Sequence, residues 1–271
     1  MGAAALFGAV AIALFLAMSA VWLAVVRGAK SGWIDATWSF CVGLAGLTLS
    51  IVAVAGWEAE PWRQAAVAAV ALIWSVRLGS HIAMRTARGG DDPRYVAMKA
   101  EWGTSWHGRM FQLLQIQAAV ALLLGTTICL AARNPVQGVQ WSDLAGFAVL
   151  IAALVGEAVA DTQLARFSRG RHFGDAICET GLWSLSRHPN YFFQWLGWLG
   201  YAVVAIGPSG TWPWGWCALA GPLTMYWLLT RVSGIPPLET HMMQTRGAAY
   251  AAYRKRVNTF WPDLRKRNST S

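Results

Sequence analysis

The chain has 271 residues, of which 56% are hydrophobic and 13% charged, and its formal net charge is +9. Soluble globular domains are about 25% charged, and the apolar excess here is gathered into blocks. A water-soluble enzyme, a disordered chain and a disulfide scaffold are excluded, and the composition predicts an all-α, polytopic membrane helix bundle.

Residues 3–26 run without a charge, longer than the roughly 20 residues that cross a hydrocarbon core of about 30 Å. No basic residue precedes this run and it is too long for a signal peptide, so it is expected to remain as a span. Further apolar blocks lie at 34–56, 64–84, 110–132, 144–164, 191–207 and 212–230, which makes about seven transmembrane helices. The sixth contains Gln194 and ends at Gly207-Pro208-Ser209-Gly210. Basic residues crowd alternate connections, among them Arg27 and Lys30, the stretch from Arg85 to Arg109, the stretch from Arg166 to Arg187, and the tail from Arg231. The opposite connections hold only Arg63 and Arg133. By the positive-inside rule the N-terminus lies outside and the C-terminus in the cytoplasm. Residues 1–262 are read as a single transmembrane domain and 263–271 as a flexible tail.

The basic balance does not point to nucleic acid, because no zinc-finger spacing, basic zipper or aromatic RNA-binding signature is present. The 17 Trp residues suit interfacial belts. Cys41, Cys129, Cys178 and Cys217 are widely spaced, which argues for small core residues and against a metal site or a disulfide framework.

Several polar residues fall where lipid would exclude them. Arg77, His81, Arg85 and Arg88 are spaced by four, four and three and share one helical face. Two readings fit: an anion-binding wall suited to phosphates, or snorkelling to lipid headgroups. Glu157 and Asp161 stack on one face of the fifth block, as a ligand site or as an ion pair between helices. Gln163 follows, and Gln112, Gln115 and Gln117 open the fourth block, where interhelical hydrogen bonds account for them. The densest cluster is Gly-Leu-Trp-Ser-Leu-Ser-Arg-His-Pro-Asn-Tyr-Phe-Phe-Gln-Trp at 181–195. Pro189 holds His188 extended and opens a helix, and a helix start flanked by Arg187 and His188 suits an anion. A basic turn obeying positive-inside is the alternative. The amphipathic segment 237–256 is expected along the cytoplasmic surface, with Met242, Tyr250 and Tyr253 turned inward.

Gly181, Trp183, Ser186-Arg187-His188-Pro189-Asn190-Tyr191 and Trp195 resemble the C-terminal signature of the steroid 5-alpha-reductase superfamily, and the chain is most similar to its bacterial integral membrane branch. Lys30-Ser31, Asp35 and Trp38 fit that branch, as do Arg77, His81 and Arg85, Asp92-Pro93-Arg94-Tyr95 and Trp102-Gly103. Ala160-Asp161-Thr162-Gln163, Glu239, Tyr250, Tyr253 and Phe260-Trp261-Pro262 extend the match, so that it covers residues ~30–262 and is strongest in 141–262. The resemblance implies a seven-helix bundle in a bacterial inner membrane that binds NADPH and transfers hydride to a carbon–carbon double bond conjugated to a carbonyl. The substrate implied is steroid-like or another lipid, reached from the surrounding membrane lipids. Carried over by position, Asp161, Asn190, Tyr191, Arg231, Glu239, Tyr250 and Tyr253 contact the cofactor. Arg77, His81, Arg85, Arg88, Arg187, His188 and Gln194 complete the expected binding set. Tyr95 and Glu157 are the candidate catalytic acids that polarise the carbonyl.

Phe193-Gln194 stands where the superfamily has Gly-Glu or Gly-Asp, and no Gln-Glu pair is found in the second block. There is no Gly-x-Gly-x-x-Gly turn, so the dinucleotide site is not Rossmann-like. The isoprenylcysteine and phospholipid methyltransferases share the Arg-His-Pro-x-Tyr core but use S-adenosylmethionine and carry two consecutive acids at the place of Leu238-Glu239. A catalytically silent lipid-binding scaffold is the third alternative, supported by Gln194.

Overall fold

A computed structural model describes residues 2–170 and 176–263; the expected tail, apart from Asp263, lies outside them. The described residues are helical and contain no strand. Ten helices follow in order: α1 (Ala3–Val26), α2 (Trp33–Ile51), α3 (Pro61–Arg88), α4 (Pro93–Trp102), α5 (Trp106–Ala132), α6 (Trp141–Arg169), α7 (Pro189–Ile206), α8 (Pro213–Cys217), α9 (Ala220–Trp227) and α10 (Ile235–Arg256).

Among the described residues, five stretches are long and apolar enough to cross a membrane: Ala3–Val26, Trp33–Ile51, Pro61–Arg88, Pro93–Ala132 and Trp141–Arg169. The last two apolar blocks of the sequence take another form. α7 opens at Pro189 and carries Asn190, Tyr191 and Gln194 early in its 18 residues. Pro213 starts the short helix α8, Pro222 stands in the first turn of α9, and a π-helical turn covers Leu228–Val232. Proline supplies no N–H to a preceding turn, so these residues restart the helix instead of continuing it.

The chain divides into two compact units, one comprising the described residues of Met1–Gly146 and Tyr201–Gly221, the other those of Phe147–Gly200 and Pro222–Ser271.

In the first unit α2 packs against α1, α3 and α5. Small residues set these approaches. A Cβ on Gly43 would lie 2.1 Å from Ser75 Cβ, and one on Gly46 would lie 2.5 Å from Ile128 Cδ1. Lipid gives helices no hydrophobic reason to associate, so close backbone approach and hydrogen bonds do the work. Ser75 Oγ supplies one such bond, donating to the Ser39 carbonyl at 2.9 Å. Lys30 Nζ donates to the carbonyls of Thr86, Ala87 and Gly89 at 3.2, 3.0 and 2.7 Å, closing the C-terminal end of α3. Asp92 caps α4 by accepting from the Arg94 N–H at 3.0 Å, with Pro93 at the first helical position.

Arg63 and Arg133, read from sequence as loop charges, are buried at 0% and 3% exposure. Arg63 meets Asp143 through Nε at 2.8 Å and Nη2 at 2.9 Å. Its remaining N–H groups donate to the carbonyls of Asn134, Val136 and Gly138. Arg133 donates to the carbonyls of Leu49, Val52 and Trp57. Both guanidiniums tie connecting segments together by satisfying carbonyls that helices leave free.

In the second unit, the 3-10 turn Gly181–Ser184 precedes α7. Gly181 has φ +61°, and a Cβ there would lie 2.4 Å from Gln163 Nε2; only glycine fits both conditions. Trp183 Nε1 donates to the Ala160 carbonyl at 3.0 Å. The segment after α10 runs back along this turn, with the Arg187 N–H bonded to the Asn258 carbonyl at 2.8 Å and the Asp263 N–H to the Leu185 carbonyl at 3.0 Å. Phe192, Trp195, Tyr226, Phe260 and Trp261 stack edge-to-face or tilted, with centroids 5.1 to 6.1 Å apart, which fixes that return segment. α10 is bent at Gly247, with φ 46° and ψ −119°. Tyr250, Tyr253 and Val257 form a buried cluster with Ile177, Met242 and Met243, the inward face expected of segment 237–256.

Candidate functional site

Arg187 and His188 enter the second unit as the last residues before α7. Both are buried, at 6% and 2% exposure. Arg187 meets Glu239 Oε1 through Nε at 2.7 Å and Nη2 at 2.6 Å. Its Nη1 donates to the carbonyls of Arg254 and Val257 at 3.2 and 2.6 Å, and Nη2 also to Thr259 Oγ1 at 2.7 Å. The five N–H donors of the guanidinium therefore all have protein acceptors. Arg187 positions α10 and the return segment, and in this arrangement has no donor left for a phosphate.

Glu239 collects two guanidiniums, an imidazole and a phenol. Besides Arg187, His188 Nε2 lies 3.3 Å from Oε1 and Arg254 Nε 3.4 Å from Oε2. The Tyr250 hydroxyl joins the same network through Glu239. Burial pushes the Glu239 carboxyl up, but the hydrogen bonds from His188 and Arg187 and the Arg187 charge outweigh it and hold the carboxyl at about 2. Burial pulls the His188 imidazole below its ordinary value, and the bond to Glu239 offsets this only in part. Burial and the Glu239 charge raise the Tyr250 hydroxyl to about 12. At neutral pH the group is thus a carboxylate, a neutral imidazole and a phenol.

Contacts continue from His188 to α6. The His188 and Tyr191 rings are stacked, 5.6 Å apart and 12° from parallel. Asn190 Oδ1 accepts from the Tyr191 N–H at 3.0 Å, and Asn190 Nδ2 donates to Asp161 Oδ1 at 3.3 Å. The Tyr253 hydroxyl donates to the Trp183 carbonyl at 2.6 Å. An open cleft of about 510 Å³ lies beside this network, lined by Pro236, Glu239, Thr240, Met243, Gln244 and Arg254.

Residues 21–257 match the family described as "Protein of unknown function (DUF1295)". The chain belongs to this family. DUF1295 falls in the steroid 5-alpha-reductase-like group. No curated protein and no solved structure matches the chain significantly.

In this DUF1295 member the residues expected from sequence fall into two sets. Asp161, Arg187, His188, Asn190, Tyr191, Glu239 and Tyr250 form one continuous series of contacts in the second unit, and Tyr253 anchors to the turn that leads into it. Gln194 is half-buried one turn beyond Asn190, and Arg231 stands exposed on the π-helical turn. Glu157, 3% exposed, sits on α6 one turn before Asp161. The first unit holds the α3 stripe, in which Arg77 and His81 are half-buried and Arg85 and Arg88 exposed. Arg85 Nη2 reaches Asp92 at 3.4 Å.

Tyr95 also belongs to the first unit. It is 4% exposed, and its hydroxyl donates to Asp35 Oδ1 at 2.9 Å while accepting from Gln117 Nε2 at 3.4 Å. Arg94 holds the other Asp35 oxygen and is itself held by Asp92. Arg254 and Thr259 are set off by nothing in their local pattern, and Asp35 and Gln117 reveal their pairing with Tyr95 only once α2, α4 and α5 are placed.

Proposed function

We propose that this protein is an integral membrane reductase that uses NADPH to reduce a carbon–carbon double bond conjugated to a carbonyl in a steroid-like or other lipid. In this reading α7 and the α8–α9 stretch add two crossings to the five long apolar ones, giving seven with the N-terminus outside and the C-terminus in the cytoplasm of a bacterial inner membrane. The observation that carries the reading is the unbroken series Asp161–Asn190–Tyr191–His188–Glu239–Tyr250. Its members come from α6, the start of α7 and α10, and all but His188 are among the positions that the superfamily resemblance assigns to the cofactor.

The residues suit that cofactor by their chemistry. Asn190, with Asp161 behind it, offers a carboxamide edge, the stacked His188–Tyr191 pair offers an aromatic surface, and Arg254 beside the cleft offers a cation to a phosphate. NADPH supplies a hydride when bound. Arg187 then has a supporting role, orienting Glu239 and closing the return segment. Tyr95 and Glu157 are the proposed proton donors to the substrate carbonyl, and the α3 stripe the proposed electrostatic attraction for phosphates.

The test is direct. Protein purified in nanodiscs is titrated with NADPH and with S-adenosylmethionine, and NADPH oxidation is followed across a panel of enone lipids. Binding of NADPH, and turnover abolished by Asn190→Ala, are expected. Binding of S-adenosylmethionine without NADPH, with labelled methyl transfer lost in Glu239→Gln, overturns the reductase in favour of the methyltransferase.

A further inference from the structure

His188 is anchored everywhere except at one atom. Its N–H donates to Ser186 Oγ at 3.2 Å, and its carbonyl accepts from the Phe192 N–H at 3.1 Å. Its ring lies against Tyr191, and its Nε2 faces Glu239. Its Nδ1 is shut away from solvent with no hydrogen-bond partner among the described residues.

The protonation pattern follows from the partners. Glu239 is flanked by Arg187 and Arg254 and is ionised, so it only accepts. The proton it shares with His188 therefore sits on Nε2. A second proton, on Nδ1, would create an imidazolium in a ring that is 2% exposed, next to the Arg187 guanidinium. Both burial and like charge oppose that. Nδ1 is left as a bare lone pair, and a buried acceptor without a donor is costly unless something brings one.

We propose that Glu239 holds His188 as the Nε2–H tautomer so that Nδ1 receives a hydrogen bond from the ligand, which must present an O–H or N–H donor there. A ribose hydroxyl or a carboxamide N–H fits; an ionised phosphate or a ketone, which only accept, does not. The proposal rests on the reductase reading only for the identity of the ligand, and it makes His188 a ligand-contacting residue with a stated polarity.

The experiment uses full-length protein in nanodiscs with nitrogen-15-labelled histidine, the His188 signals being assigned by their loss in His188→Asn. Without ligand, Nε2 should be pyrrole-type and Nδ1 pyridine-type. Saturating NADPH should shift Nδ1 toward the hydrogen-bonded range and leave Nε2 in place. A reversed tautomer overturns the proposal, and so does an Nδ1 unmoved by both NADPH and S-adenosylmethionine. A shift with S-adenosylmethionine alone supports it while overturning the reductase.

Two variants give a second readout. His188→Gln places a polar atom near Nε2 and keeps a partner for Glu239 but loses the acceptor at Nδ1; it should weaken binding about tenfold. His188→Asn keeps a polar atom near Nδ1 and should stay within about threefold. The opposite order would mean that only the Glu239 contact matters, and would sink the idea.

Discussion

Phe193 fills the space that a side chain at position 156 would need: a Cβ on Gly156 would lie 2.3 Å from Phe193 Cδ1. Phe193 on α7 packs into the space that α6 leaves open at Gly156. Gly156→Ala should therefore destabilise the protein by about 1–3 kcal/mol, the cost typical of overpacking. Phe193→Leu in the same chain should recover most of it. A double-mutant cycle on thermal unfolding in detergent checks this, and additive effects would show that the two residues do not compete for the space.

Acid should loosen the second unit in two steps. His188 is held below its ordinary value, so above about pH 6.5 it is neutral in folded and unfolded chains alike. As pH falls below that, the unfolded state binds the proton first and stability drops. The Glu239 carboxyl sits at about 2 against 4.5 unperturbed, so its contribution is complete above pH 4.5 and is lost as pH falls from there toward 2. Both steps have the same sign. Protection factors of α10 amides, taken relative to the intrinsic exchange rate, should fall as pH drops from 8 toward 2, and Glu239→Gln should lose the lower step. At neutral pH that variant should cost about 2 kcal/mol, the value of a hydrogen bond to a charged group.

The long spans were legible because an apolar run of sufficient length has little else to become. Residues 3–26 and 64–84 lie within α1 and α3. The block at 212–230 was harder, because composition does not register that Pro213 and Pro222 open separate short helices followed by a π-helical turn. In the site, Arg187, His188, Asn190 and Tyr191 were legible as one short motif opening α7. Their partners were not: Glu239 lies 51 residues from His188, and three of the groups that fix Arg187 are the Arg254 and Val257 carbonyls and the Thr259 hydroxyl. Backbone acceptors leave no mark in a sequence. For the same reason Arg63 and Arg133 looked like surface charges.

Arg63 and Asp143 form a fully buried pair, 0% and 1% exposed along their side chains. Removing one partner of such a pair leaves an uncompensated charge and typically costs 3–5 kcal/mol. Arg63→Ala should approach the upper end, because the carbonyls of Asn134, Val136 and Gly138 lose their donor as well. Asp143→Asn, which keeps the shape and one acceptor, should cost less. Thermal midpoints in detergent rank the two. Equal losses would show that the carbonyl contacts contribute little.

Tyr95 offers the sharpest test of chemistry in the first unit. Its hydroxyl is buried, accepts from Gln117 and directs its proton at Asp35, an arrangement that fixes the oxygen and leaves little freedom for the ring. As the proposed proton donor to the substrate carbonyl, it exchanges Asp35 for the carbonyl oxygen in the transition state and adds nothing to cofactor affinity. Tyr95→Phe removes one oxygen and preserves the packing. It should lower kcat by about 10²–10⁴, the usual range for a general acid, while the Kd for NADPH stays within about twofold. Asp35→Asn keeps an acceptor for the Tyr95 proton but drops the charge that holds Arg94, so a smaller loss is expected, together with a faster-exchanging α4. A Tyr95→Phe protein that turns over normally would move the acid role to Glu157, and the parallel measurement on Glu157→Gln then decides between the two carbonyl-polarising groups.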